Sequence, residues 1–153
     1  MAASVNPFDL KSALLARHAQ HVVLIHFPIA LFLTAVMFDL IAQWTKNRTL
    51  AVVAYYNLLV AAISTLPVMA TGLLAWRWQL EGQRLKGILL QHMILGITSS
   101  TLIWLVWWLH HRARQNSGGG SPRYRLPIEL VTAALVALTG HLGGFLSGVN
   151  GPG

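Results

Sequence analysis

The sequence predicts an all-α integral membrane protein, a four-helix up-down-up-down bundle with a short N-terminal interfacial helix. Of its 153 residues, 55% are hydrophobic and only 10% are charged, whereas soluble domains carry about 25% charged residues. A bilayer core of about 30 Å needs roughly 20 apolar residues in a helix, and four stretches of the chain reach that length. Short polar links between these stretches favour antiparallel neighbours. We therefore expect a single transmembrane domain over residues 1–153.

The first element is a segment that precedes the apolar spans. Asn6 and Pro7 are typical of a helix start, with Asn at the N-cap and Pro at the first helical position. Apolar residues then alternate with Asp9, Lys11 and Arg17. This pattern predicts an amphipathic helix in the membrane interface, or an outward extension of the first span.

Four apolar spans follow this segment. Their approximate limits are residues 22–44, 50–76, 87–109 and 126–146. Asp39 is the only carboxylate of the first span, and we expect it to pair with a nearby Arg or Lys. Glu129 follows Pro127 at the start of the fourth span, where a carboxylate offsets the positive end of the helix dipole. Both carboxylates are therefore interpreted as structural.

The C-terminal segment, residues 142–153, reads LGGFLSGVNGPG and contains five glycines and a proline. Such a sequence does not remain a regular helix to its end. We expect the fourth helix to stop near Leu146 and the NGPG tail to form a turn over the nearby membrane face. Four spans also place both chain termini on the same side of the membrane.

Charge and cysteine content exclude several classes of function. The net charge is +7, but the basic residues lie in clusters between apolar runs, as expected for contacts with lipid headgroups rather than with nucleic acid. His110 and His111 are interpreted as part of such an anchor. The chain has no cysteine, which excludes disulfides, thiolate metal sites, Cys-ligated iron–sulfur clusters and covalent haem attachment. A haem in this chain is therefore expected to be held by histidine.

Histidines provide the main indication of function. His26, His92 and His141 fall at matched depth near one face of the membrane if the spans are antiparallel. His21, five residues before His26, lies at or just outside the same surface. An ionisable side chain inside the bilayer is costly and indicates a functional site by default. The alternative is that each imidazole only forms a hydrogen bond between helices.

Small residues lie at the level of these histidines. Gly72 is near the end of the second span, and Gly96 comes one turn after His92. Small side chains let helices pack closely, and they also leave room for a flat porphyrin. Ligation by two imidazoles suits electron transfer because both axial positions of the iron are filled. The predicted cofactor is therefore haem b.

The predicted ligands follow from the bundle geometry. His26 and His92 lie on spans one and three, which are diagonal in a four-helix ring, and they form the expected axial pair. His141 is expected to donate a hydrogen bond beside them, to pair with a haem propionate, or to replace one of them. His21 is a candidate ligand for a second haem. Two basic residues, Arg77 and Arg84, lie just outside span two. They are expected either to pair with haem propionates or to anchor the chain to lipid headgroups. The same trio of His26, His92 and His141 is also the candidate metal site, for Zn or Cu.

Five features recur along the chain in a fixed order: HFPIALF at 26–32, Asp39, ATGLLAW at 70–76, His92 and TGHLGGFLSGVNGPG at 139–153. In their order and spacing they resemble the DUF2231 family of four-helix bacterial membrane proteins. Family members typically carry a His-Pro pair before the HFP segment, whereas His21 is followed here by Val22. The resemblance implies a multi-pass protein of the bacterial inner (cytoplasmic) membrane. The occurrence of the family beside or fused to redox domains suggests haem and electron transfer.

Together these features predict a b-type cytochrome-like subunit that transfers electrons within a larger redox complex, respiratory or photosynthetic. The expected partners are membrane lipids and other subunits of that complex. No catalytic residue is assigned, and the chain is interpreted as an electron-transfer or accessory subunit rather than an enzyme. Two alternatives remain open: a cofactor-free structural or assembly subunit, and a His-ligated metal site.

Overall fold

The computed structural model describes residues 17–78, 81–82, 84–115 and 124–147, with side chains from residue 20 onward. It contains five helices within this part of the chain. They are α1 (Arg17–Leu24), α2 (His26–Thr45), α3 (Arg48–Trp78), α4 (Gly87–Gln115) and α5 (Arg125–Leu146). The interfacial helix expected before residue 17 and the turn expected in the NGPG tail lie outside the described residues.

The first span is formed by α1 and α2, which are separated by the single residue Ile25. The position of this break follows from Pro28. A proline lacks an N–H, and its ring clashes with the carbonyl four residues earlier, which here belongs to Leu24. The span from Gln20 to Thr45 is still long and apolar enough to cross a membrane. His26 is thus the first residue after a proline-induced break.

Four spans form a closed ring. Each of α2, α3, α4 and α5 packs against the next, and α5 returns to α2, while α1 packs on α3. The centre of the ring is apolar and includes Phe32, Leu58, Val106 and Val136. Alanines, among them Ala61, are fully buried and let the helices approach closely. The all-α membrane bundle expected from the sequence is confirmed, with α2 and α4 on one diagonal.

The link between α2 and α3 is a tight turn. Lys46 adopts a left-handed conformation (φ 58°) and its N–H donates to Ala42 O, which ends α2. The side chain of Asn47 then accepts from the N–H groups of Thr49 and Leu50, at 2.9 and 3.2 Å, and caps the start of α3. This tight turn fixes the end of α2 against the start of α3.

The helix limits agree closely with the predicted spans. At the end of the bundle, α5 stops at Leu146 as expected, and Ser147 N donates to Gly143 O at 2.9 Å. Large apolar side chains such as Leu66 and Val131 are more than half exposed on the outside of the bundle. In a membrane these positions contact lipid tails. The apolar surface of the bundle therefore agrees with the membrane protein that the composition predicts.

Candidate functional site

Two groups of polar residues lie at opposite ends of the bundle. We call the first the histidine end; it consists of His21, His26, His92 and His141. We call the second the ion-pair cluster; it consists of Asp39, His110, Arg125 and Glu129. The antiparallel course of the helices separates them, because α2 and α4 begin beside histidines of the first group and end beside members of the second.

His92 joins α4 to α5. Its Nδ1 lies 3.1 Å from the backbone oxygen of Thr139, and a carbonyl can only accept, so Nδ1 carries the proton. The ring lies over Gly143, where an added Cβ would be 3.1 Å from His92 Cε1. Thr139 also exchanges a hydrogen bond with Ser99 through its hydroxyl, at 3.1 Å. The half-buried imidazole is therefore held in one orientation by the facing helix.

His21 joins α1 to α3 in a similar way. Its Nδ1 lies 3.2 Å from Thr71 Oγ1. The hydroxyl of Thr71 donates to backbone oxygens of its own helix, Pro67 O at 2.8 Å among them, so it accepts from His21. Gly72, expected to leave space for a cofactor, lies directly under the ring, since an added Cβ would be 2.9 Å from His21 Cε1.

The remaining two histidines of this end are exposed in the isolated chain. His26 Nδ1 lies 2.7 Å from Val22 O, so this ring also donates to a backbone carbonyl. The His141 ring packs edge-on against Phe145, with centroids 5.0 Å apart. The structure does not bring His26, His92 and His141 into one group of metal-ligating atoms among the described residues.

The other predicted site residues lie around the histidine end. Gly96 faces the methyl group of Thr139, 3.9 Å from an added Cβ. Arg77 and Arg84 are exposed, and a guanidinium nitrogen of Arg77 would be 3.3 Å from a Cβ at Gly82 in the following turn. These positions are compatible with both roles expected for the two arginines.

The ion-pair cluster begins with Asp39 of α2 and Arg125 of α5. One guanidinium nitrogen of Arg125 donates to both oxygens of Asp39, at 2.9 and 2.8 Å. Gln43, one turn after Asp39, donates to the same carboxylate. Asp39 is 2% exposed and Arg125 is 7% exposed. The expectation that Asp39 pairs with a basic residue is confirmed, and its partner is 86 residues away in the sequence.

His110 of α4 completes the cluster through Glu129 of α5. His110 Nε2 lies 2.6 Å from Glu129 Oε1, and Arg125 Nε lies 3.3 Å from the same oxygen. Glu129 is 1% exposed, and its Oε2 has no hydrogen-bond partner within the part of the chain that the structure describes. The interpretation of His110 as a headgroup anchor is wrong, because this side chain is buried in an ion pair.

A cavity of about 220 Å³ adjoins the ion-pair cluster. All four spans contribute polar side chains to its lining, namely Asp39, Gln43, Tyr55, His110, Arg114 and Arg125. His111 lies beside it, with Nδ1 3.0 Å from the Tyr55 hydroxyl. Its ring stacks on Trp107 at 5.4 Å between centroids. The cavity therefore leaves open space beside Asp39, His110 and Arg125 of the cluster.

Sequence reasoning missed this cluster, although one signal for it was present. Arg125 and Glu129 have the i, i+4 spacing that places side chains on one helix face. In the structure, His110, Glu129 and Asp39 lie five, four and six residues from the ends of α4, α5 and α2. At about 1.5 Å per residue, they share a depth of roughly 6–9 Å. The predicted third span ended at residue 109, before His110, so this shared depth could not be recognised from the sequence.

Comparison with known proteins gives one family and no closer relative. Neither a curated protein nor a solved structure matches the chain significantly. A family model described as "Predicted membrane protein (DUF2231)" matches residues 17–151. This range covers all four spans and both ends of the bundle, so the chain belongs to the DUF2231 family of predicted membrane proteins.

Proposed function

We propose that the chain is a haem b-binding electron-transfer subunit of a larger redox complex in the cytoplasmic membrane of a bacterium. The supporting observation is the orientation of His26 and His92, the two expected axial ligands. Both rings direct Nδ1 to a backbone carbonyl, at 2.7 and 3.1 Å. A neutral imidazole with its proton on Nδ1 has its lone pair on Nε2, the atom that binds a metal.

A hydrogen bond from the second ring nitrogen is a regular feature of metal-binding histidines, because it fixes the tautomer and makes the ligand more basic. The donor set of the histidine end therefore has the chemistry that iron in a haem requires. The bound haem supplies reversible one-electron chemistry. The residues of this chain orient the imidazoles: Val22 and Thr139 through their carbonyls, and Gly143 by leaving space for the His92 ring.

The exposure of His26 and His141 supports the assignment to a larger complex. Side chains at the outer surface of the bundle cannot enclose a cofactor on all sides. A haem bound there needs lipid or another subunit to cover its outer edge. An electron-transfer subunit also needs such a neighbour as its redox partner. We therefore place the haem at the boundary between this chain and the rest of the complex.

An optical spectrum of the detergent-purified protein tests this proposal. We expect the bands of low-spin haem b in the reduced-minus-oxidised spectrum, and their loss in His26→Ala and in His92→Ala. His111→Ala is the matched control, since this histidine lies at the other end of the bundle, about 25 Å away or more. Normal bis-histidine spectra in both single variants would show that these two residues are not the ligands.

His141→Ala distinguishes the two roles expected for that residue. Retention of haem with a changed redox potential would make His141 a neighbour of the ligands. Complete loss of the spectrum would make it an axial ligand in place of His26 or His92. Each outcome identifies a different pair of helices as the haem-binding pair.

A cofactor-free structural or assembly subunit is the second candidate function. It is favoured by the bonds of His92 to Thr139 and of His21 to Thr71, which join neighbouring helices without any cofactor. In this case the purified protein is colourless, and His92→Ala lowers its thermal stability without a spectral change. A His-ligated metal site at the same end predicts bound metal without porphyrin bands.

A further inference from the structure

The ion-pair cluster brings two buried carboxyl groups together with a single arginine. When Asp39 and Glu129 are both ionised, Arg125 balances one of the two negative charges. The other is balanced only if His110 is protonated, and with a neutral His110 the buried group has a net charge of −1. Uncompensated charge is expensive inside a protein in a membrane, where neither solvent nor lipid tails neutralise it. The cluster thus has the electrostatic character of a cation-binding site.

Its donor atoms have the arrangement of a metal site. One ligand atom each from Asp39, His110 and Glu129 lies within 4.8 Å of the other two. Imidazole nitrogen and carboxylate oxygen are both ligands of zinc and related divalent ions. The three residues come from three helices, α2, α4 and α5, and each is less than 5% exposed. The bundle therefore brings the three donors together without a metal. When an ion binds, Arg125 must leave Asp39, and the proton between His110 Nε2 and Glu129 must pass to the solvent.

An independent observation points to a missing ligand. Glu129 Oε2 is buried and accepts no hydrogen bond from the described residues. A buried polar atom without a partner costs free energy, so such atoms are rare in native proteins. Both oxygens of a carboxylate are bonded to one carbon. Oε2 is therefore a close neighbour of Oε1, the oxygen that His110 and Arg125 contact. A cation bound there would satisfy this oxygen.

The cavity provides access to the same donors. Asp39 and His110 both line it, and its volume of about 220 Å³ exceeds the roughly 30 Å³ that one water molecule occupies in the liquid. The cavity therefore has room for a hydrated ion beside the carboxylate of Asp39. The remaining coordination positions can be filled by water from the cavity.

We propose that Asp39, His110 and Glu129 form a binding site for a divalent transition metal ion of the zinc type. Arg125 is the competing cation, since it occupies both oxygens of Asp39 when no metal is bound. A divalent ion balances the two carboxylates by itself, so with Arg125 still in place the cluster would have a net charge of +1. We therefore expect metal binding to release Arg125 from Asp39 into the cavity that it lines.

Zinc binding to the full-length protein in detergent tests the proposal. The protein is stripped with a chelator and titrated with Zn²⁺ by calorimetry, and with Co²⁺ as an optical probe of the ligand field. Glu129→Gln and His110→Gln should each weaken binding by at least the roughly 10- to 100-fold that loss of a supporting residue costs a metal site. His111→Gln is the matched control and should bind as the wild type does.

Arg125→Gln gives the most specific result. If Arg125 competes with the metal, this variant should bind Zn²⁺ more tightly than the wild type. An ion-pair network without a metal function predicts the opposite, a less stable protein that binds no zinc. Size-exclusion chromatography and circular dichroism establish that each variant is folded, and the nearly isosteric Glu129→Gln is the variant least expected to disturb packing.

Two results would overturn the proposal. One is a wild-type protein that binds no zinc. The other is zinc binding that is unchanged in both Glu129→Gln and His110→Gln, which would place the ion on exposed histidines at the other end. This outcome is independent of the haem proposal. A colourless protein that binds zinc through Glu129 would refute the haem proposal and support the metal site.

Discussion

The two ends of the bundle carry similar residues in different surroundings. At the histidine end, His21, His26 and His92 each form a hydrogen bond to an uncharged oxygen. His26 and His141 are exposed there. At the other end, His110 is 4% exposed and pairs with a carboxylate from a neighbouring helix. The depth of a histidine in the membrane therefore does not determine its role. Its role depends on whether the helix turns it toward the bundle centre.

This difference has an energetic consequence. Loss of a neutral hydrogen bond at the histidine end costs little, because the partners are hydroxyl and carbonyl groups of helices that have other contacts. Loss of one member of the ion-pair cluster leaves a buried charge without its partner, which costs far more. Variants at the two ends should therefore differ clearly in stability, and the predictions that follow are ordered by the size of the expected effect.

The largest effect is expected for Arg125→Ala. It removes the partner of Asp39 and one of the two partners of Glu129, and should lower the free energy of unfolding by about 3–5 kcal/mol. Chemical denaturation in detergent, followed by circular dichroism, measures this loss. Arg112→Ala is the control, because Arg112 is exposed and contacts only the Trp108 ring in the described structure, at 4.9 Å. Its removal should have a small effect.

A double variant tests the reason for this loss. Replacing both Asp39 and Arg125 by leucine removes the two charges together, so most of the stability lost in Arg125→Ala should return. If the double variant is no more stable than the single one, shape and packing rather than unpaired charge explain the loss. Wild-type stability in Arg125→Ala would show that losing a partner costs no more in the ion-pair cluster than at the histidine end.

The fold could be predicted from the sequence because it depends on quantities that can be counted. The lengths of the apolar runs determine the spans, and the short links determine their antiparallel order. The break at Ile25 lies where Pro28 cannot donate a hydrogen bond to Leu24. Pro67 nevertheless leaves α3 unbroken, so a proline alone does not predict such a break. The end of α5 near Leu146 follows from the glycines after it. Each of these features is local in the sequence.

The candidate sites could be predicted only in part, because counting residues gives depth but not rotation. Each residue turns a helix by about 100°, so two side chains at one depth can face the centre or the lipid. His26 and Glu129 illustrate the two cases: the first is exposed and the second is 1% exposed. The pairing of Asp39 with Arg125 depends on the packing of α2 against α5, which no local pattern encodes.

An intermediate effect is expected for glycine variants beside His92. Gly143→Ala places a Cβ 3.1 Å from His92 Cε1, so the ring, which is held by its bond to Thr139, must give by a few tenths of an ångström. Gly140→Ala is the matched control, since its Cβ would meet Ile29 at an ordinary contact distance of 3.6 Å. Both changes gain the same helix propensity. We expect Gly143→Ala to be less stable than Gly140→Ala by roughly 1–3 kcal/mol.

Thermal unfolding of the two variants measures this difference. Equal stabilities would mean that the His92 ring can move without cost, and that its orientation is not fixed by Gly143. If the protein contains haem, the same pair of variants also tests the ligand assignment. A displaced His92 should alter the spectrum in Gly143→Ala, while Gly140→Ala should keep the wild-type bands.

The smallest effect is expected for Tyr55→Phe at the rim of the ion-pair end. The change removes the hydroxyl that lies 3.0 Å from His111 Nδ1 but keeps the ring under Arg114, whose guanidinium carbon lies 4.4 Å from the ring centre. One hydrogen bond between half-buried groups contributes about 0.5–1.5 kcal/mol, so the free energy of unfolding should fall by that amount. A double-mutant cycle with His111→Ala isolates the contribution, because the ring contact with Arg114 is the same in both backgrounds. Additive effects of the two substitutions would show that this bond contributes nothing. A loss of stability in Tyr55→Phe comparable to that in Arg125→Ala would mean that the rim is as tightly coupled as the buried charges beneath it.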